Sequence, residues 1–406
     1  MFLFKYREFL KLWLGQVTSQ AGNKVYLIAM SWWIIENNPE NGGFLLGCFM
    51  IAGVLPAMLF FKFMGKTVDT NPTRKMLVSC DLITSTLLAS LGWLLIANKL
   101  NFSYALLFGF AIAAVEGFFN PTVSKAVPEL VNNEADLESA VAYQSSTQYM
   151  ASFGGAMLGA GLINLVGIPN LVALTCLNFF ISAMIEITIK FPNEVEAASG
   201  ADAVDSAAGE QALNWKKHSF LLQMLIGFGL VNLFATPDLL IMPVYVQRAL
   251  HAKADVLALV EAAIWMGILA GTFLASYIKS DGKTVLLGVI CMLVSSVAHV
   301  FPGLIVDFKV FAASLFVSGL TVGLNNVKFV TMFQKIVPQE VKGSFFARMQ
   351  AIISFTFPIA YLSFGFLSDV IKTPHLCLIQ SVGIFFTALW FARLIKKESV
   401  IAAELV

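Results

Sequence analysis

GKTVDTNPTRK, Gly65 to Lys75, is a short knot of charge and turn residues between two long, nearly uncharged runs, at about 43–66 and 75–97. Each run is about as long as the 20 residues that carry an α-helix through the hydrocarbon of a bilayer. Read outward from this knot, the chain repeats the arrangement almost without pause. Apolar stretches lie at 8–36, 43–66, 75–97, 102–126, 136–164 and 168–191, then at 217–249, 254–279, 283–303, 307–334, 342–370 and 374–396. In hydrocarbon every backbone N–H has to bond within its own segment, so these twelve stretches are helices rather than open strands.

Composition agrees. Of 406 residues, 58% are hydrophobic and 13% charged, with 36 Phe, against about 25% charged in ordinary soluble domains. So little polar surface could not cover a water-soluble core of this size. The net charge of +1 and the absence of a basic arm interleaved with aromatics leave no electrostatic footprint for nucleic acid. Cys48, Cys80, Cys176, Cys291 and Cys377 stand singly within apolar runs, which supports neither a disulfide framework nor a zinc site, and no metal is expected. The first stretch starts almost at Met1, is too long for a signal-peptide core and lacks a small-residue cleavage motif, so it reads as a retained helix.

An even number of crossings puts both termini on one side. Lys5, Arg7, Lys11, Lys66, Arg74, Lys75, Lys125, Lys190, Lys216, Lys217, Lys279, Lys283, Lys335, Lys342, Arg393, Lys396 and Lys397 fall on that side, whereas Lys99, Arg248, Lys253, Lys309 and Lys372 fall opposite. The positive-inside rule then makes both termini cytoplasmic, in a multi-pass protein of the inner (plasma) membrane. The one long polar interruption, Asn193 to Trp215, is rich in Ala, Ser, Gly and acid and reads as a flexible cytoplasmic linker. Four parts follow: a six-helix bundle at 1–192, the linker at 193–216, a second six-helix bundle at 217–397 and a cytoplasmic tail at 398–406. KAVPELV (Lys125–Val131) and KIVPQEV (Lys335–Val341) follow the fourth and tenth stretches, as a duplicated six-helix unit requires.

The loop Gly65–Lys75 resembles the signature loop of the major facilitator superfamily, with Gly65, Asp69, Arg74 and Lys75 at matching positions. FFNPTVSKAVPELVNNEADLESAVAYQSS, Phe118–Ser146, is similar to the corresponding region of its macrolide-efflux branch, among the drug/proton antiporters. LKLWLGQVTSQAG, near the start, agrees. The resemblance implies an all-α membrane fold of 12 transmembrane helices in two pseudo-symmetric six-helix bundles, with the first, fourth, seventh and tenth helices lining a central cavity. Two departures stand out. Thr70 occupies the place of an Arg, and Gly343-Ser344 that of a Gly-Arg, with Lys62 and Arg348 as nearby replacement cations.

The loop has a chemistry of its own. Asp69 can accept hydrogen bonds from the N-terminal amides of a facing helix and pair with a cation there, a charge-assisted lock that opening must break. Gly65, Asp69, Arg74, Lys75, Asp81 and Arg348 are therefore the candidate gating residues. Arg74 and Lys75 also serve the topology rule by themselves.

A charge at the bilayer centre costs about 2.5–3.5 kcal/mol even on the insertion scale, so intramembrane polar groups face a cavity or a partner. Gln16, Gln20, Asn23 and Lys24 form a stripe on one face of the first helix. Glu116 and Asn120 lie one turn apart in the fourth, beside Phe118 and Phe119. Gln144, Gln148, Asn232, Asn325 and Lys328 add polar groups elsewhere, and with Phe119 they complete the candidate substrate-binding set. Burial favours the neutral form of Glu116 and a neighbouring Lys24 the charged form, so a permanent salt bridge and a proton-exchange site both stay open. Asp238 is the second candidate for proton coupling. With Glu261 it also lies towards the outer end near Arg248 and Lys253, where a gate or ion pair fits equally. Two lysines facing a cavity favour an anionic or zwitterionic cargo unless acids neutralise them.

His218, His251, His299 and His375 are scattered, and only His299 is inside a helix, with no Asp or Ser on its own face to build a catalytic constellation. No GxxxxGK[ST] phosphate loop is present. No cofactor and no enzymatic activity are expected. The expected activity is secondary transport, a proton-coupled export of a small amphipathic compound by a monomer whose partners are that substrate, protons and membrane lipid. Export of an anionic metabolite such as a carboxylate siderophore, lipid flipping, and ligand sensing without transport are the alternatives.

Overall fold

The computed structural model describes residues 5–191 and 219–398, apart from 132, 281 and 338. The linker 193–216 and the tail beyond 398 lie outside the described residues. In chain order the helices are α1 (Arg7–Asn37), α2 (Gly42–Ala52), α3 (Leu55–Thr70), α4 (Thr73–Ile96), α5 (Phe102–Leu130), α6 (Glu134–Ile187), α7 (Ser219–Ala235), α8 (Asp238–Arg248), α9 (Ala254–Tyr277), α10 (Thr284–Leu304), α11 (Phe308–Ile336), α12 (Gln339–Val370) and α13 (Thr373–Ala392). No strand occurs among the described residues.

These helices make the twelve crossings once three interruptions are recognised. α6 contains two crossings, divided at Gly167, whose φ of 76° and ψ of 159° are open to glycine and strained for any side chain. α2 and α3 form one crossing, broken before Pro56, which enters the first turn of α3 where its missing N–H removes no helical bond. α7 and α8 form another, broken at Thr236-Pro237. By length and composition 10 described helices are apolar enough to span a bilayer. The two crossings left out, in α1 and the first part of α6, carry the amide-rich stripes.

Caps repeat at the starts of α5 and α11. Asn101 accepts from the amide of Tyr104 at 2.9 Å to start α5. Asp307 accepts from Lys309 and Val310 at 2.8 and 3.1 Å to start α11. Such caps satisfy donors that a helix start otherwise leaves orphaned. Glu398 does the same for α10, accepting from the amides of Thr284 and Val285 at 2.7 and 2.9 Å.

The helices form two compact units, one of Met1–Asn37 with Cys48–Asp205, the other of Asn38–Gly47 with Ser206–Val406. In the first, Phe9, Leu12, Leu77, Phe119, Val123, Val127 and Ile189 form a core beneath the polar groups described below. In the second, Phe228, Phe329, Phe333 and Phe391 pack with ring centroids 5.3–6.5 Å apart. Backbones also meet directly there. A Cβ added at Gly267 or Gly271 of α9 would lie 2.2 or 2.0 Å from the carbonyl oxygen of Phe316 or Leu320 on α11, and one at Gly319 or Gly323 of α11 would lie 2.2 or 2.1 Å from that of Ile264 or Ile268. Two glycine pairs four residues apart thus let α9 and α11 touch along one seam, a contact that van der Waals packing can hold in lipid.

Candidate functional site in the first unit

Gln16 and Gln20 on α1, Asn120, Val123 and Ser124 on α5, and Gln144 and Thr147 on α6 line one cavity of about 350 Å³. Its walls are mostly amides and hydroxyls. The helical period explains the convergence, since Gln16 and Gln20 are one turn apart, as are Asn120 and Ser124.

Behind this cavity lies a smaller one, lined by Ser19, Gln20, Asp81, Thr84, Glu116, Phe119 and Phe179 among others. Gln20 belongs to both. Glu116 accepts a short hydrogen bond from the Asn23 side chain. Lys24, one position further round α1, has its Cβ against Gly155 of α6, 2.8 Å from where a glycine Cβ would stand. Asn23 is thus a direct partner of Glu116 that the pairing with Lys24 alone does not include.

Asp81 belongs with these groups. It is 2% exposed, with Oδ2 buried and unbonded, and the structure brings it to Glu116 rather than to the loop around Asp69. A third acid, Glu186 of α6, is fully buried with both oxygens unbonded. Its carboxylate lies 3.6 Å from where a Cβ on Gly15 would stand, and it is within electrostatic reach of Asp81. Ser182, one turn earlier, donates to the carbonyl of Gly15 at 3.0 Å. Sequence reasoning passed over Glu186, although an acid inside an apolar stretch was the signal. Three carboxyl groups on three helices, with few donors between them, cannot all be charged at once.

The Major Facilitator Superfamily model matches residues 12–361 of this chain. The chain belongs to that superfamily. It is 22% identical over 354 residues to the uncharacterized MFS-type transporter YkuC of Bacillus subtilis (strain 168), an alignment covering 84% of this chain and 81% of the relative. Among solved structures, the nucleoside transporter NupG superposes with a TM-score of 0.71 at 11% identity, covering 96% of this chain and 99% of NupG. A bacterial homologue of the iron transporter ferroportin in an inward-facing state gives 0.69 at 13%, covering 95% and 98%. A bacterial homologue of the human lysosomal transporter Spinster gives 0.67 at 13%, covering 95% and 97%. At these identities the superpositions establish the fold, that of a multi-pass helical membrane protein, and the superfamily match makes the chain a transporter.

The superfamily loop is held by its backbone. Lys125 of α5 donates to the carbonyl oxygens of Val68, Asp69 and Asn71 at 2.9, 3.4 and 3.1 Å, and Thr73 donates to Glu129 at 3.0 Å. The Asp69 and Lys75 side chains are exposed, and Arg74 is half-buried. A Cβ on Gly65 would meet nothing within 4 Å. Arg348 is half-buried on α12. The side chains of Gln148, Lys62 and Ser344 lie outside those described.

In the second unit, Asn232 donates to Phe228 O of its own helix at 2.9 Å, and Asn325 has Oδ1 buried and unbonded. Lys328 donates to Ile278 O at the C-terminus of α9, a cation on the negative end of a helix. Arg248 pairs with Asp369 at 2.7 Å and donates to the carbonyls of Ser368 and Pro39, both at 3.0 Å. Asp369 also accepts from the amides of Gly43 and Phe44 at 3.0 and 2.7 Å. The expected proximity of Arg248 to Asp238 gives way to this arrangement. Asp238 turns to His299 instead, at 3.2 Å, because the break at Pro237 starts a new helix and aims its first side chain inward. His299 also has a Ser on its own face, Ser295, one turn back.

Proposed function

We propose that this transporter couples proton entry to the export of a small amphipathic compound by alternating access, in the manner of the macrolide-efflux branch that its sequence resembles. The observation that carries the reading is Gln20, one side chain shared by the hydrogen-bonding cavity and by the small cavity holding Asp81 and Glu116. Cargo bound among Gln16, Gln20, Asn120 and Gln144 acts on the acids through that amide and through Asn23. Cargo and proton then compete: the ionised acids favour a cargo that donates hydrogen bonds, and protonation releases it. Amides with few charges along the wall suit a cargo having both polar and apolar parts.

Asp69 and the neighbouring Gly65, Arg74 and Lys75 serve as the cytoplasmic gate of the cycle, with Arg348 as the cation on the opposing side. In the present geometry the exposed Asp69 carboxylate is uncommitted to the Lys125 clasp, which uses only main-chain oxygens, so it is available to such a lock. Both termini and the linker 193–216 are cytoplasmic, and the membrane is the inner one, as the distribution of Lys and Arg supports. The transporter acts as a monomer without a cofactor.

The test is flux in proteoliposomes under an imposed pH gradient, with ethidium, a carboxylate dye and a fluorescent lysolipid as probes. Ethidium is expected to move. Glu116→Gln, which keeps an acceptor for Asn23 at nearly the same volume, is expected to abolish uphill movement while passive exchange persists. Uphill flux undiminished in Glu116→Gln refutes the role of Glu116, and absence of flux for all three probes in wild type favours a sensor.

A further inference from the structure

The second unit holds a buried polar cluster that the reading above leaves unused. Its centre is Asp238, the first residue of α8, 4% exposed. Around it stand His299 of α10, Gln380 of α13 and Ser318 of α11, at 1%, 0% and 1% exposure. The hydrogen bonds among them leave little choice of proton position.

His299 Nδ1 lies 2.8 Å from the backbone carbonyl of Ser295. A carbonyl only accepts, so Nδ1 carries a hydrogen. Gln380 is fixed in the same way, because its Nε2 lies 3.0 Å from Phe234 O and 2.8 Å from Asp238 Oδ1. Both neighbours accept, so the NH2 end points towards Asp238. What remains is the gap of 3.2 Å between His299 Nε2 and Asp238 Oδ1. With Nδ1 already protonated, a neutral ring has a bare Nε2. Facing an ionised carboxylate it would set lone pair against lone pair, in an apolar interior that penalises unpaired charge.

From this we infer that Asp238 and His299 form a single-proton carrier, a second proton site besides Glu116, with one proton held between Nε2 and Oδ1. The proton is either on nitrogen, giving imidazolium and carboxylate, or on oxygen, giving neutral ring and acid. Its transfer breaks an N–H bond, forms an O–H bond and leaves the net charge of the pair at zero. Release leaves a charge of minus one. Two cations of this unit that could compensate it are engaged elsewhere. Arg248, on α8, is committed to Asp369 of α12, and Lys328, on α11, donates to Ile278 O. Of the titratable side chains on the other elements, Cys377 of α13 is within electrostatic reach of Asp238, and Glu261 of α9 and Tyr361 of α12 are buried; none of the three can supply a positive charge. The pair thus parts with its proton only when water or a cation reaches it. Gln380 is a positioning residue, since it spans the break at Thr236-Pro237, from Phe234 O to Asp238, and orients the carboxylate.

The proton count is a property of the pair; its use in transport rests on the proton-coupled reading given above. The count is read by NMR on the full-length protein in lipid nanodiscs, with 15N-labelled histidine and 13C-carboxyl-labelled aspartate at about pH 7. His299→Gln and Asp238→Asn assign the two signals by their loss. Should either fail to fold, replacing His218, His251 and His375 instead leaves a single ring to read. One proton in the gap is expected, seen as a ring protonated at Nδ1 with either imidazolium and carboxylate or neutral ring and acid. A neutral ring with an ionised Asp238, an imidazolium with a protonated Asp238, or a ring bare at Nδ1 overturns the inference. Proteoliposome flux separates the two readings: wild type without proton-driven movement of any of the three probes ends the coupled reading and leaves the count standing. Where flux is present, His299→Gln is expected to lose one proton per transported molecule, and an unchanged ratio removes the pair from the transport cycle.

Discussion

Replacing Gly271 with Ala tests how tightly the second unit is packed, because the coordinates give the size of the clash. The new Cβ would stand 2.0 Å from Leu320 O and 2.9 Å from Leu324 N. A carbon and a carbonyl oxygen come no closer than about 3.3 Å, so α9 and α11 must separate locally by about 1.3 Å. That gap would also loosen the contacts at Gly267, Gly319 and Gly323 along the same seam. Overpacking costs about 1–3 kcal/mol, and a rigid backbone oxygen puts this case at the upper end. Alanine returns about 1 kcal/mol through its better helix propensity, which leaves a loss of about 2 kcal/mol. For a unit of this size each kcal/mol moves the melting temperature by about 2–4 °C, so a drop of about 4–8 °C is expected in a tryptophan-fluorescence melt in detergent. Gly161→Ala is the control, since nothing lies within 4 Å of its added Cβ, and it should melt at or slightly above the wild-type temperature. If Gly271→Ala melts as high as that control, the seam is looser than described and the reasoning fails.

Three further outcomes follow from individual polar contacts. Lys125→Met removes one ammonium from three backbone carbonyls, and at about 1.5–3 kcal/mol for a charged donor it should raise amide exchange across 68–75; unchanged exchange would mean water serves those carbonyls equally well. A double-mutant cycle of Arg248→Met and Asp369→Asn should give a coupling of about 1–3 kcal/mol, because these side chains are 21% and 11% exposed, and a coupling within error would reduce the pair to an incidental contact. Asp136 accepts from Lys5 and from Tyr6 at 2.8 Å, and Lys5 first, then Tyr6, hold its carboxyl below the usual range. A depressed carboxyl stabilises above its unfolded value of about 3.9, and this contribution is lost as pH falls through the lower folded value. Amide protection of 5–10 should therefore decline on acidification below about pH 4 in wild type and be lower and flat in Asp136→Asn.

The fold was legible because hydrocarbon tolerates so few solutions: a run such as 75–97 has to be a helix wherever it packs. The division at Gly167 was legible too, as the gap between the stretches 136–164 and 168–191. Axial position was likewise readable, so Glu116, Asn120, Gln16 and Gln20 could be picked out as polar groups at membrane depth. Partners across helices were not. Which way α4 turns decides whether Asp81 joins the loop or Glu116, and an almost uniformly apolar helix carries no periodic signal to fix that rotation. Asn23 and Lys24 are adjacent in sequence yet about 100° apart around α1, so the pattern alone could not name Asn23 as the residue that reaches Glu116. The union of Asp238 with His299 depended on a helix break at Pro237 whose geometry no one-dimensional pattern contains. Lys328 was readable as an intramembrane cation, while the helix end that takes it up, Ile278, lies fifty residues away in sequence.

The clasp of Lys125 on the end of α3 bears on how the chain is made. A ribosome delivers Val68 and Asn71 to the membrane surface well before residue 125 has emerged, and until then their carbonyls have only interfacial water to satisfy them. The turn between the second and third crossings therefore reaches its final form only after the fourth crossing is in place. A nascent chain truncated before residue 125 would lack the ammonium that fastens the hairpin between these two helices.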